Sequence, residues 1–185
     1  MIVTVLWEDQ SSSIRAGFGP HELLVSCPAD ELSIERNEIK NLVESNPRKG
    51  NGNVRASLKK DLKKLSNSGP VVAVLDRDKI LDLWKKPGPP PADCWNEIDT
   101  RMKSDAPGEY CLLLIEQNIE SLLEAACAAL SQPVPEKKPN PNERDTVLNR
   151  AAWENLTVRA DIRQRCPSFD RIVRRVTEAI RSWDR

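Results

Sequence analysis

Histidine is nearly absent from this chain: His21 is the only one, and the five cysteines (Cys27, Cys94, Cys111, Cys127 and Cys166) show no C-x-x-C spacing. A zinc site of the usual cysteine and histidine kind is therefore not expected. The lone histidine also gives no basis for a nucleophile–histidine triad, so acyl-transfer chemistry is disfavoured. Neither a G-x-G-x-x-G nor a Walker A sequence is present, which leaves any ATP to be bound by a partner. No apolar run approaches the roughly 20 residues needed to cross a bilayer, so no membrane partner is expected. The start, Met1 to Leu6 and then Trp7-Glu8-Asp9, lacks the basic and apolar regions of a signal peptide. An odd set of scattered cysteines fits reduced thiols, and a cytoplasmic setting follows as the expectation. Two phenylalanines and one tyrosine offer little surface for stacking single-stranded bases.

What is plentiful is charge, balanced at 28 acidic and 28 basic residues among 185. Net charge thus says nothing about a nucleic-acid partner. Its distribution is slightly uneven: residues 1–132 hold 16 basic and 20 acidic side chains, and residues 133–185 hold 12 and 8. The tail leans basic.

Hydropathy and breakers divide the chain. Ile2–Leu6 reads as a buried strand, and Glu22–Cys27 as a second strand ended by Pro28. Asp30 to about Ser45 reads as a helix closed by Asn46-Pro47. Gly50-Asn51-Gly52-Asn53 reads as a flexible turn opening a basic helix, Val54–Leu65. Val71–Leu75, five apolar residues between breakers, is the clearest strand, and its continuous apolarity suits burial on both faces. Trp95–Met102 reads as a helix, Tyr110–Ile115 as the last strand, and Gln117–Leu130 as a helix. The expectation is an α/β domain over residues 1–132, with a mainly parallel sheet of about four strands flanked by helices. A Pro-rich linker over 133–142 leads to a helical C-terminal appendage, 143–185, packing on the domain. Within it, helices are expected at Glu143–Glu154, near Arg159–Gln164, and at Ser168–Trp183 with Ser168 as N-cap.

Parallel α/β sheets bind ligands beyond the carboxyl ends of their strands. Three of the four expected strands run into carboxylates: the first into Glu8 and Asp9, the third into Asp76 and Asp78, the last into Glu116, with Glu120 one helical turn further on. Side chains two apart in extended backbone point the same way, so Asp76 and Asp78 are expected side by side. Hard oxygen donors without histidine or cysteine suit Mg²⁺ or Mn²⁺. The plainer account of Asp76-Arg77-Asp78 is a helix cap and a solvated turn residue. For Glu116 and Glu120 it is a helix start whose acids complement the dipole.

The order of strand and Glu8, long insertion, then Val-Val-Ala-Val-Leu-Asp76-Arg77-Asp78 resembles the Toprim domain of topoisomerases, primases and overcoming-lysogenization-defect nucleases. More closely, the chain resembles a small Toprim-like family often encoded beside ATPases. The shared features are the Gly50–Asn53 turn before a basic helix, the segment Leu114 to Leu123 containing Glu116 and Glu120, and Pro167-Ser168-Phe169 ahead of a last helix. Asp9 stands where Toprim proteins usually have glycine, and Lys79-Ile80 replaces a common x-Gly continuation. The resemblance implies a Mg²⁺- or Mn²⁺-dependent nuclease, with Glu8, Asp76, Asp78 and Glu120 as metal-binding and catalytic residues. It also implies a separate ATPase partner and a possible antiviral role. The rival expectation is a non-catalytic adaptor on the same fold. A weaker third is a phosphoacceptor aspartate.

The basic segment Arg48, Lys49, Arg55, Lys59, Lys60, Lys63 and Lys64 is a candidate phosphate-backbone surface for DNA, or else a solvated helix face. Arg159, Arg163, Arg165, Arg171, Arg174 and Arg175 in the tail face three possibilities: nucleic acid, a partner's acids, or acids of the front domain. Of the five tryptophans, Trp84 and Trp95 flank the Pro-rich loop Lys86–Pro91, either as a partner surface or as ordinary packing.

Overall fold

A computed structural model describes residues 1–9, 17–84, 95–115, 119–135 and 139–182. Four strands, β1 (Val3–Trp7), β2 (Val43–Pro47), β3 (Val71–Asp76) and β4 (Cys111–Ile115), form one sheet in the order β2-β1-β3-β4. Every pairing is parallel, with Val3 beside Val43, Val5 beside Val72, and Asp76 beside Ile115. The helices are α1 (Gly19–Leu32), α2 (Arg36–Leu42), α3 (Asn51–Ser66), α4 (Trp95–Asp105), α5 (Ile119–Ala129), α6 (Pro141–Trp153), α7 (Leu156–Arg165) and α8 (Pro167–Arg181), with a 3-10 turn at Ile80–Trp84. None of these helices is long and apolar enough to cross a membrane.

Alternation along the strands sends side chains to two cores. Leu6, Val71, Ala73, Leu75 and Leu112 pack beneath Val54, Leu58 and Leu62 of α3 and Ile98 and Met102 of α4. Val3, Val5, Trp7, Val72, Val74 and Ile115 face the other way, onto α1, α5 and the C-terminal helices. Here α8 contributes Phe169, Ile172, Val173, Val176 and Ile180, and the Trp7 and Phe18 rings meet edge to face at 5.8 Å. α6 packs on α1 and α5, α7 on α5, and α8 on α1, β1 and β4. The C-terminal helices therefore close the same core that the sheet opens. Gly19 makes the α1–α6 approach possible, since a Cβ there would lie 2.5 Å from the Cβ of Leu148.

Two expected elements are corrected. Glu22–Cys27 is helical, the middle of α1, and Pro28 lies inside that helix rather than ending a strand. Residues 23–29 are all buried, because α1 is enclosed by the sheet and by α6 and α8. A helix covered on every side loses the polar stripe that would give it away. The second strand is instead Val43–Pro47, carved from the end of the expected 30–45 helix after the short α2. The last helix is capped at Cys166, with Pro167 at its first turn, and Ser168 is buried inside it. Trp183 and the Pro-rich loop lie outside the described residues.

Candidate active site

The chain runs from β1 to β2 on one side and then crosses from β2 to β3 on the other side of β1. The carboxyl ends of β1 and β3 therefore flank the switch point of the sheet, where open α/β folds form their binding crevice. A cleft of about 300 Å³ opens there. Its acidic walls are Glu8, Asp9, Asp76 and Glu120; its basic ones are Lys49, Lys79 and Arg144.

Asp76 ends β3 and is only 4 % exposed. Its side chain shares a hydrogen bond with that of Glu8, the residue after β1. Burial, and then the charge and hydrogen bond of Glu8, push the Asp76 carboxyl up to about 9, with Asp78 adding to the rise. Lys79 opposes the shift, its Nζ 3.9 Å from Asp76 Oδ2. Burial and the neighbouring Glu8 charge thus favour the protonated form of Asp76 when no cation offsets them.

Asp78 is exposed and does not line the cleft. The two-residue rule holds only in extended backbone, and the strand stops at Asp76. The Arg77 N–H donates to Ile115 O at 3.1 Å and the Ile80 N–H to Arg77 O at 3.3 Å, turning the chain outward at Asp78. Glu120, on the first turn of α5, does reach the cleft wall. Glu116 lies outside the described residues.

Among the described residues, no group of three or more histidine, cysteine, aspartate or glutamate side chains is gathered to hold a metal ion. Mg²⁺ asks for less than that, commonly one or two carboxylates, with waters and substrate phosphates completing its shell. The Glu8–Asp76 pair fits that requirement, because a divalent cation satisfies the same repulsion that now retains a proton.

The basic positions separate into two kinds. Arg55 is tied down, its Nη1 donating to Leu83 O at 2.9 Å and to Asp105 Oδ2 at 3.1 Å, and Lys59 Nζ lies 3.7 Å from Asp105 Oδ1. Both reach Asp105 at the end of α4. Arg48 sits at the sheet end, with its Nε buried and without a hydrogen-bond partner among the described residues. Lys49 lines the cleft, while Lys60, Lys63 and Lys64 are exposed and in no ion pair among the described residues. In the tail, Arg159 grips Asp30 with two bonds of 2.5 and 2.7 Å, and Arg163 pairs with Glu31 and with Asp170. Those two arginines answer acids of α1, the third of the expected alternatives.

Sequence reasoning missed the roles of Asn51 and Arg144, and it placed Asp9 at the strand end without its partner Arg144. Arg144 is 5 % exposed and pairs with Asp9 and with the fully buried Asp145. Asn51 binds the backbone of Asp76 through both atoms of its amide. An asparagine beside two glycines carries the ordinary signal of a turn, which hid it.

Comparison with family models, with curated proteins and with solved structures finds no match for this chain.

The raised Asp76 carboxyl has a measurable consequence. Its proton is held in the folded, metal-free protein up to about pH 9 but leaves the unfolded chain near 3.8. Below about pH 4 this contribution to stability is complete; it is lost as pH rises through the folded value. Urea unfolding in EDTA should therefore show stability falling between about pH 5 and 9, and Asp76→Asn should flatten that slope. Mn²⁺ competes with the same proton, so its stabilisation should be larger at about pH 8.5 than at about pH 6. Equal Mn²⁺ shifts at both values would speak against binding at this pair.

Proposed function

We propose that the cleft is a Mg²⁺- or Mn²⁺-dependent phosphodiesterase centre and that the protein is a nuclease, with DNA as the first substrate to try. The hydrogen bond between the buried Asp76 and the half-buried Glu8 at the β1/β3 switch point is the observation that supports this most. The bound cation would neutralise phosphate charge and acidify a water. Glu8 and Asp76 would hold it, and Glu120 would accept a proton or orient water from the facing wall. Lys79, released from Asp76 once a cation is there, and Lys49 would take the phosphate oxygens. Lys60, Lys63 and Lys64 would hold the nucleic-acid backbone along the outer face of α3.

The direct test is nicking of supercoiled DNA with Mg²⁺ or Mn²⁺, with and without a neighbouring ATPase, by wild type and Asp76→Asn. Replacing Lys60, Lys63 and Lys64 together by alanine should weaken DNA binding at every sequence. The slope of log affinity against log salt should fall by about 2–3, near 0.9 per phosphate contact. An unchanged slope would remove these lysines from the interface.

A second reading, the adaptor, is favoured by one surface. Trp153 is 69 % exposed with the Arg36 guanidinium stacked 3.7 Å from its ring centre, and Leu156 beside it is 60 % exposed. Tryptophan and arginine are the residues that dominate protein interfaces. Tight ATPase binding lost in Trp153→Ala, with no cleavage under any condition, would favour this reading over the nuclease.

A further inference from the structure

We propose that Asn51 is the positioning residue of this centre, standing in for the strand that β1 ceases to be and fixing Asp76 against Glu8. The inference rests on the metal-centre reading above. In a parallel ladder, alternate residues turn both backbone groups to the same neighbour. Glu8 N–H donates to Val74 O at 3.1 Å, and Arg77 N–H donates to Ile115 O on the opposite side. The N–H and C=O of Asp76 therefore face β1, which has already ended at Trp7. A buried peptide left there without partners would be unfavourable.

Asn51 fills the gap. Its Nδ2 donates to Asp76 O at 3.0 Å, and its Oδ1 accepts from Asp76 N–H at 3.0 Å. Asn51 is 5 % exposed, so bulk water has no access to replace it. One residue earlier, the Gly50 N–H donates to Glu8 O. Adjacent residues thus hold the backbones of both carboxylate-bearing positions and set the spacing between them. Gly50 makes this possible with a φ of +112°, outside the range of ordinary side chains.

Asparagine at a helix start would ordinarily cap its own helix. At α3 no side chain makes a cap hydrogen bond, and Asn51 directs both amide atoms to Asp76 instead. Aspartate lacks the donor, and serine is too short to span both groups.

The test compares Asn51→Ala with Leu62→Ala, a buried α3 residue away from the cleft, by Mn²⁺ calorimetry and by metal-free crystal structures. Asn51→Ala should bind Mn²⁺ at least about 10-fold more weakly, as loss of an outer-shell partner does, and Leu62→Ala should bind as wild type. Equal affinity in Asn51→Ala, or equal weakening in Leu62→Ala, overturns the assignment. If Asn51→Ala does not fold, Asn51→Asp, which keeps only the acceptor, takes its place with a smaller expected loss. If wild type binds no Mn²⁺, the metal reading falls, and the crystal structures decide Asn51 separately. An Asp76 carboxylate displaced from Glu8 in the variant supports the assignment, and one left in place sinks it.

Discussion

Asp76→Asn should lower DNA cleavage by about 10³-fold or more while making the metal-free protein more stable than wild type near neutral pH, because asparagine does not ionise when the chain unfolds. The substitution is nearly isosteric. Because Asp76 keeps a proton up to about pH 9 in the metal-free fold, the asparagine amide resembles the form already present. The hydrogen bond to Glu8 survives with Nδ2 as donor. What is lost is a formal charge that only the cation-bound state uses. A metal centre supplies several kcal/mol of transition-state stabilisation, and 10³-fold corresponds to about 4 kcal/mol. Asp78→Asn, at an exposed position off the cleft, should change the rate by less than about 3-fold, and Glu120→Gln should fall between. A comparison of nicking rates with thermal unfolding of the same preparations checks the set. Cleavage by Asp76→Asn at the wild-type rate would end the nuclease reading, and loss of rate together with collapse of the fold would leave Glu8→Gln to carry the test.

The carboxylate pair was legible in the sequence because it depends on local signals. Val71–Leu75 can hardly be anything but a buried strand, and a charged residue straight after such a run lies at the sheet's end. Glu8 follows from the same reasoning applied to β1. Asp78 did not follow, since the strand's period says nothing about the residue after the turn begins. β2 was hidden for another reason. It is an edge strand of sequence Val-Glu-Ser-Asn-Pro with one fully buried side chain, and its polarity and proline are what guard an exposed edge against pairing. α1 was hidden by the opposite property, burial on all sides. Arg144 and Asp9 lie 135 residues apart, and no periodicity links positions that meet only after the C-terminal helices dock.

That docking can be measured through Arg144. Arg144→Met should destabilise the fold by about 3–5 kcal/mol, the range for removing one partner of a buried ion pair. Asp145 is 0 % exposed and receives Arg144 Nε at 3.1 Å and Nη2 at 2.9 Å, so the variant takes the cation from a carboxylate that water cannot reach. Asp9 loses the same partner at the mouth of the cleft, next to Glu8. The surface pair of Arg165 and Asp161, with Arg165 50 % exposed, provides the contrast: Arg165→Ala should move stability by less than about 0.5 kcal/mol and be sensitive to salt. Arg144→Met/Asp145→Leu should recover much of the loss, because two apolar groups in place of a buried pair are often close to neutral. Cleavage separates the two partners of Arg144. If the arginine acts on the site by holding Asp9, the double variant regains stability but not rate. If Arg144 only anchors α6, rate and stability return together. Urea midpoints for the three variants, read beside their nicking rates, distinguish a C-terminal layer that merely covers the core from one that forms a wall of the catalytic cleft.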